Sequence, residues 1–574
     1  PTFDAGNFLV IKLLGTFSDK WHVVHNLYFL LGFPVTFIIS FCVLRAFHLG
    51  IPFAFAATIL FNFLPFHFVR LPHLFYTWYF VVPIFYYLAV KFLILTQPEE
   101  SGDKNIFRKI LYGLCLISLG CFGVYYALFG VIVLISVGIF GFTQNHNVKL
   151  LKTSFFLSSM VFLGLLLNAA PNLISMSMNG SNLEVAQRSV AESEIYGFKF
   201  TQLVMPQLGH RNDVMATIAQ TYVNTTPLNN ENVSANLGIV GTFGLLSAFL
   251  IIFLTLTGRL LNKNLIILSW VVLVLFMFGT IGGFGSIFAQ LITTSIRGWN
   301  RISIFIGFGC LTIFFLTLQL EIQRRFHGRH SVFVVFFCAA IFIIGGLYDQ
   351  TKAACNTCNE DVKNEFNMDR NFVQSIENSL IEGSAIYQLP YMASPEVPPL
   401  YRLQDYQLSL GFLHSKKLHW TYGGMKGRLG DLFYRSLSKE PLSLQVEVLE
   451  KLGFAGIYVD RRGFDVNDNL IVDGLTELLR SPPTLTRSDD KVVFFRLNQT
   501  NPAPNLENLN TEQLMMKAGY IVDDLGRRYE ATLADGIDFT RRELPSFVAD
   551  IQGLSGSESW GRWSDADLAE SVRI

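Results

Sequence analysis

Long apolar runs divided by short polar loops fill the first 348 residues, and beyond them the pattern changes to brief alternating or amphipathic stretches. A membrane-crossing helix needs ~20 mostly apolar residues to cover ~30 Å of hydrocarbon. By that rule the sequence predicts spans at 27–46, 52–68, 73–95, 153–172, 237–257, 264–282, 302–320 and 330–348. The stretch 110–142 is too long for one span and breaks at Gly123, so it reads as two short helices that enter and return, making ten passes. In the second half, SAIYQLPYM and KVVFFRL read as strands, 443–452 as a helix leading through a glycine into a buried strand at 456–459, and NLIVDGLTELLRS as an amphipathic helix. The expected architecture is an α-helical polytopic membrane domain (1–348, with outer loops 1–26, 173–236 and 283–301) and a connector (349–377). An α/β domain (378–498), a linker (499–527) and the start of a β-sandwich (528–574) follow.

Composition narrows the function classes. Of 574 residues, 51% are hydrophobic and 15% charged, with 44 Lys+Arg against 44 Asp+Glu. That balance excludes a disordered chain and a nucleic-acid binder. Seven cysteines in so long a chain make no disulfide framework. The C-x-x-C at Cys355 and Cys358 has no second pair to complete a zinc site, leaving a local disulfide or two idle thiols.

The basic residues of the short loops fall in one alternating set: Arg45; Lys104, Arg108 and Lys109; Lys149 and Lys152; Arg259 and Lys263; Arg324, Arg325 and Arg329. The positive-inside rule makes that side cytoplasmic and the remaining loops, with everything after 349, extracytoplasmic. Pro1 has no preceding Met, and the last residues resemble the opening strands of a domain, so the expectation is of a longer chain with an earlier span.

P-loop, HExxH, GxSxG and Rossmann signatures are absent from the sequence. Polarity gathers instead in the outer loops. Loop 173–236 carries Arg188, Glu192, Glu194, Tyr196, Lys199, Gln202, His210 and Arg211 interleaved with Ile195, Phe198, Phe200, Leu203, Val204 and Met205. This reads as an amphipathic segment on the bilayer surface or as a solvated connector with an interfacial anchor, with His210 a surface histidine. In SIRGWNRIS, Arg297 and Arg301 stand four apart, on one face if helical, with Trp299 and Asn300 between. They are either snorkelling residues at a span end or a site for a lipid phosphate, whose oxygens match guanidinium forks. Asp4, before an apolar run, reads first as a helix N-cap. Trp420, Tyr422, Lys426 and Arg428 surround a glycine pair in HWTYGGMKGR, a composition that suits a glycan or an ordinary packed turn.

The segments EIYGFKFTQLVMPQLGHR, IRGWNRISIFI and WTYGGMKGR, in this order among many spans, resemble the GT-C superfamily of polytopic membrane glycosyltransferases. Closest within it are the bacterial YfhO-like proteins, described as sugar translocases or glycosyltransferases. The tail GLSGSESWGRWSD is similar to a β-sandwich domain of phosphoglycerol-transferase-like membrane proteins. The resemblance implies transfer of a sugar from a polyprenyl-phosphate donor to an envelope glycan or lipid at the outer face of the bacterial cytoplasmic membrane. It implies Asp4 as the catalytic acidic residue, with Arg297 and Arg301 steadying the leaving phosphate, and it leaves a divalent cation open as a cofactor. Membrane lipids, the lipid-linked donor and the acceptor are the implied partners. A translocase of lipid-linked sugars and a phosphoglycerol-type headgroup transferase stand as alternatives.

Overall fold

The computed structural model describes residues 4–94, 106–185, 187–259, 262–465, 469–498, 509–523, 525–529, 537–540, 548, 550–564 and 571–573. The chain separates into two compact units, Pro1–Ser181 with Gln187–Ala354, and Asn182–Ala186 with Cys355–Ile574. Lys104, residues 499–508 of the expected linker and much of the expected β-sandwich lie outside the described residues.

The first unit is helical. Among the described residues eight helices are long and apolar enough to cross a membrane: Trp21–Ala46, Ile51–Val69, Leu71–Lys91, Val124–Gln144, Val148–Asn179, Gly238–Leu256, Trp299–Arg325 and Gly328–Gln350. Ala5–Gly15, Ile110–Leu119 and Lys263–Gly279 are apolar but shorter. The structure therefore supports a multi-pass helical protein with eight full-length candidates, where the sequence predicts ten passes. The expected break lies at Gly123, whose φ of +96° suits glycine, and the chain there leaves Ile106–Leu119 and enters Val124–Asn145. The helix expected at 153–172 runs on through Pro171 to Asn179, so the first residues of loop 173–236 are helical. Trp299–Arg325 is the most enclosed helix, with 83% of its apolar window buried against 11% for Gly328–Gln350.

Loop 173–236 is folded. It forms the short helices Ala191–Ile195 and Phe200–Val204, the longer Asp213–Thr225, and a tight turn at Glu231–Ala235. Phe198 and Leu203 are fully buried. The Phe198 backbone pairs with the end of Lys263–Gly279, its N–H donating to Gly279 at 2.9 Å and its carbonyl accepting from Ile281 at 3.0 Å. Ile195 and Phe200 of the same loop stay exposed, so its apolar residues divide between the core and the surface.

The second unit is built on a five-stranded sheet of order β2-β1-β3-β5-β4, from β1 (Ala385–Leu389), β2 (His419–Trp420), β3 (Gly456–Asp460), β4 (Leu485–Thr486) and β5 (Val492–Arg496). β1 runs parallel to β2 and β3, and β5 is antiparallel to β3 and β4. Side chains alternate between two cores. Tyr387, Leu389, Ile457, Val459, Val493 and Phe495 enter one, and Ile386, Tyr458, Val492 and Phe494 the other. A sheet covered on both faces explains why its strands read as continuous apolar runs. The expected connector 349–377 is largely a helix, Asn356–Ser379, whose Phe372 and Ile376 join the second core. The buried Arg487 guanidinium ties that helix to the sheet, bonding Asp369 on one side and Asp489 at 2.7 and 2.8 Å on the other. The described part of the expected linker is also structural, because Met515, Tyr520 and Val522 pack into the first core. Cys355 and Cys358 form a disulfide. The described C-terminal residues hold two small antiparallel pairs, Ile521–Val522 with Arg528–Tyr529 and Asp550–Gln552 with Ser571–Arg573.

Candidate functional site

Asp4 stands at the N-cap position of Ala5–Gly15, yet its side chain makes no capping bond. The Ala5 N–H donates instead to Asn168 Oδ1 at 3.0 Å, and the Gly6 N–H to the Cys121 carbonyl at 3.0 Å. These bonds replace the expected cap and hold the helix start against the Gly123 break. Asp4 Oδ1 faces Asn7 Nδ2 at 3.5 Å, and buried Asn7 accepts from the Tyr28 hydroxyl at 2.8 Å. Burial pushes the Asp4 carboxyl up to about 6, against the lowering influence of the Asn7 bond and the Arg301 charge.

Arg301 is held on both faces. Its guanidinium lies 4.5 Å from the ring centres of Tyr76 and Tyr125, donates to the Tyr76 hydroxyl at 2.9 Å and reaches Glu231 at 3.4 Å. Its Nε is buried without a hydrogen-bond partner among the described residues. Glu231 also accepts from Arg70 at 2.5 Å and from Asn300 Nδ2 at 3.1 Å. Arg70, 1% exposed, donates further to Asn300 Oδ1 and to Ser234 at 3.1 Å. Burial alone would raise the Glu231 carboxyl, but the charges of Arg301 and Arg70 with these hydrogen bonds bring it down to about 2. One carboxylate thus serves two buried guanidinium groups, with Asp4 within electrostatic reach of Arg301.

The four residues expected to bind donor phosphate have different fates. Arg297 precedes the 3-10 turn Trp299–Ile302, so it does not share a helix face with Arg301. Its guanidinium pairs with Glu192 at 2.7 Å and covers the Tyr196 ring at 4.8 Å. Tyr125 links the two arginines, since its hydroxyl accepts from the N–H groups of Arg297 and Gly298 at 3.3 and 3.1 Å. Trp299 is buried among Phe129, Phe278 and Phe288, and Asn300 spends its amide on Arg70, Glu231 and the Tyr196 carbonyl. Neither is presented to a ligand; both build the wall that positions Arg301.

The expected outer-loop residues split into a supporting scaffold and a remote clamp. Glu194 accepts from the Gly282 N–H at 2.9 Å. Lys199 Nζ binds the Pro227 carbonyl, and buried Gln202 bonds Asn229 at 3.1 Å and Asn232 at 2.8 Å. His210 is buried rather than superficial. Its Nδ1 accepts from the Asn212 N–H at 2.9 Å, and its Nε2 lies 3.3 Å from Asp349. Arg211 grips Thr351 and the Lys352 carbonyl at 2.9–3.1 Å.

In the second unit, Trp420 and Tyr422 line a cavity of about 500 Å³, of which Lys426 and Arg428 are not part. Lys426 Nζ donates to the Glu396 carbonyl at 3.0 Å, and the Arg428 N–H to the Met425 carbonyl at 3.1 Å, ahead of the helix Leu429–Leu437.

Sequence reading missed Arg70, Glu231, Tyr76 and Tyr125. Arg70 did carry a signal, since it is a lone charge in the short break between two apolar runs, 52–68 and 73–95. Among the described residues no three His, Cys, Asp or Glu side chains group as a metal-binding set, and Glu231 is taken by two guanidinium groups. The described residues of this site do not fit a divalent cation.

Residues 521–574 match a family model described as a domain of unknown function (DUF7024). No curated protein matches the chain.

Proposed function

We propose that this chain is an integral membrane glycosyltransferase of the GT-C kind, acting at the outer face of the bacterial cytoplasmic membrane with residues 355–574 extracytoplasmic. Its substrates are a polyprenyl-phosphate-linked sugar and a glycan or lipid acceptor. The observation that carries this reading is a carboxyl poised near neutrality, Asp4, within the field of a guanidinium fixed between two tyrosine rings.

Asp4 takes the proton of the acceptor hydroxyl as its oxygen attacks the anomeric carbon. The bond from that carbon to the carrier phosphate breaks, and the electron pair leaves on the phosphate oxygen. Arg301 meets the charge that grows there. Tyr76 and Tyr125 hold the guanidinium in place before the ligand arrives, so little reorganisation is spent at the moment of reaction.

A translocase would place ionisable groups at mid-membrane depth. Arg70 and Arg301 instead stand at helix ends, next to Ile51–Val69 and in the first turn of Trp299–Arg325. The test uses the full chain in nanodiscs with radiolabelled polyprenyl-phosphate sugars. Asp4→Asn and Arg301→Gln should each lower formation of the glycosidic bond by about 10²-fold or more with folding intact. Undiminished turnover in Asp4→Asn removes the base, and movement of the labelled lipid between leaflets without a new glycosidic bond replaces the reading with the translocase.

A further inference from the structure

The second unit contains a cavity built separately from the Asp4–Arg301 cluster. It lies beside the edge strand β2, and its walls come from that strand, the loop Thr421–Gly424 and the helix Leu429–Leu437. At about 500 Å³ it falls within the usual range of small-molecule sites.

Its walls are held rigidly. The Tyr422 N–H donates to Gln388 Oε1 at 3.0 Å, the Gln388 N–H to Thr421 Oγ1 at 3.0 Å, and Gln388 Nε2 to the Leu408 carbonyl at 2.7 Å. One buried glutamine thus ties the loop to β1. Trp420 is pinned by its Nε1 bond to Ser415 at 2.7 Å and by the backbone of Gly411, where an added Cβ would meet the indole at 2.6 Å. Such fixing lowers the entropy a ligand must overcome.

The lining joins aromatic surface with a few uncommitted polar groups. Trp420, Phe412 and Tyr422 offer apolar faces, Phe412 being 68% exposed. The Tyr434 hydroxyl and the His419 ring have no hydrogen-bond partner among the described residues, and both residues line the cavity. His419 is the sole titratable lining residue apart from tyrosines, while Lys426 and Arg428 are outside the lining. The site therefore lacks the fixed charge that a phosphate would need. An acyl chain would leave the half-buried Tyr434 hydroxyl without a partner. A pyranose satisfies both requirements, because its C–H face meets the negative face of an aromatic ring while its hydroxyls pair with the polar groups.

We infer that this cavity is a binding site for a neutral saccharide, with Trp420 as the stacking platform and Tyr434 and His419 as the hydrogen-bonding groups. Such a site would hold a glycan on the second unit independently of the chemistry assigned to Asp4 and Arg301, so each assignment can fail without the other.

The full chain, solubilised in a detergent without a sugar headgroup, is applied to an array of neutral di- and trisaccharides of glucose, galactose, mannose and N-acetylhexosamines. Binders are then titrated by tryptophan fluorescence. Saturable binding to at least one saccharide is expected. Tyr434→Phe keeps the ring packing and should weaken it about fivefold, the worth of one hydrogen bond. His419→Ala should weaken it similarly and Trp420→Ala by more. Absence of saturable binding across the array overturns the inference. So does binding unchanged in both Tyr434→Phe and Trp420→Ala, or binding of dodecyl phosphate to this cavity with every saccharide failing.

Discussion

Replacing Glu231 by Gln removes the one negative charge shared by Arg70 and Arg301 while keeping the size of the side chain and one acceptor oxygen. The side chains concerned are 1%, 9% and 21% exposed for Arg70, Arg301 and Glu231, so water compensates little. At an effective dielectric constant of ~20, two unit charges 4 Å apart interact by ~4 kcal/mol. Removing one partner of a buried pair costs ~3–5 kcal/mol, mostly from the uncompensated charge left behind. In a unit of this size about 2 °C is lost per kcal/mol, so the melting midpoint of Glu231→Gln in detergent should fall by about 6–10 °C. The decisive measurement is a double-mutant cycle with Arg70→Met, which keeps a stem packed on the Phe66 ring where the guanidinium now lies at 5.0 Å. The double variant should be less destabilised than the sum of the singles by at least ~1 kcal/mol, since the Arg70–Glu231 attraction is lost in each single and can be lost only once. Additivity within ~0.5 kcal/mol would refute the shared-carboxylate reasoning.

Activity in the proposed transfer should rise with pH along a limb centred near 6, the value to which burial brings Asp4, because the base must be ionised. Arg301→Gln removes a lowering charge and should move that limb upward in the residual activity; a limb near 4 in the parent would remove Asp4 as the base. The stability contributions of the two carboxyls have opposite signs. Asp4, raised in the folded chain, contributes stability below pH 3.8 that is lost as pH rises through about 6, whereas Glu231 contributes stability above pH 4.5 that is lost as pH falls towards about 2. Gly164→Leu should lower the melting midpoint and the proposed activity together, because its side chain would overlap the Ile117 carbonyl; retention of both would show that the two helices can separate without disturbing Asp4.

Elements whose signal is local were legible. The helix break at Gly123, the strand at 456–459 and the apolar cores of most spans follow from runs of a few to twenty residues, and the structure places them where the pattern does. The site was only partly legible, because its partners are distant in sequence. Arg70 and Glu231 are 161 residues apart, and Arg70 and Asn300 are 230 apart. Hydropathy marks Arg70 as anomalous but cannot say which carboxylate answers it. The same limit explains Arg297 and Arg301. A four-residue spacing suggested one face, but backbone hydrogen bonds to Tyr196 and Tyr125 turn the chain between them. Polar residues of the 173–236 loop were visible as a cluster, though most hold backbone groups of the fold rather than face a ligand. His210 read as superficial because its partner, Asp349, lies far along the chain.

The position of Asp4 depends on how closely two helices pack behind it. Gly120 ends the Ile106–Leu119 segment and Gly164 lies in Val148–Asn179, and each stands where a Cβ would overlap the other helix's backbone, Gly120 meeting the Leu165 nitrogen at 2.6 Å. Small residues on both sides let the backbones touch, as in membrane helix pairs generally. Asn168 is one turn beyond Gly164 on the same face, so the contact that joins the helices also carries its amide to the Ala5 N–H. On the other helix the chain leaves Gly120 for Cys121 and Gly123, whose carbonyl and open Cα face meet Gly6 and Asp4 respectively. Asn168 Oδ1 is committed to Ala5, and its buried Nδ2 has no hydrogen-bond partner among the described residues. Glycine packing and the bent chain at Gly123 thus converge on the start of Ala5–Gly15 and fix the backbone that carries Asp4.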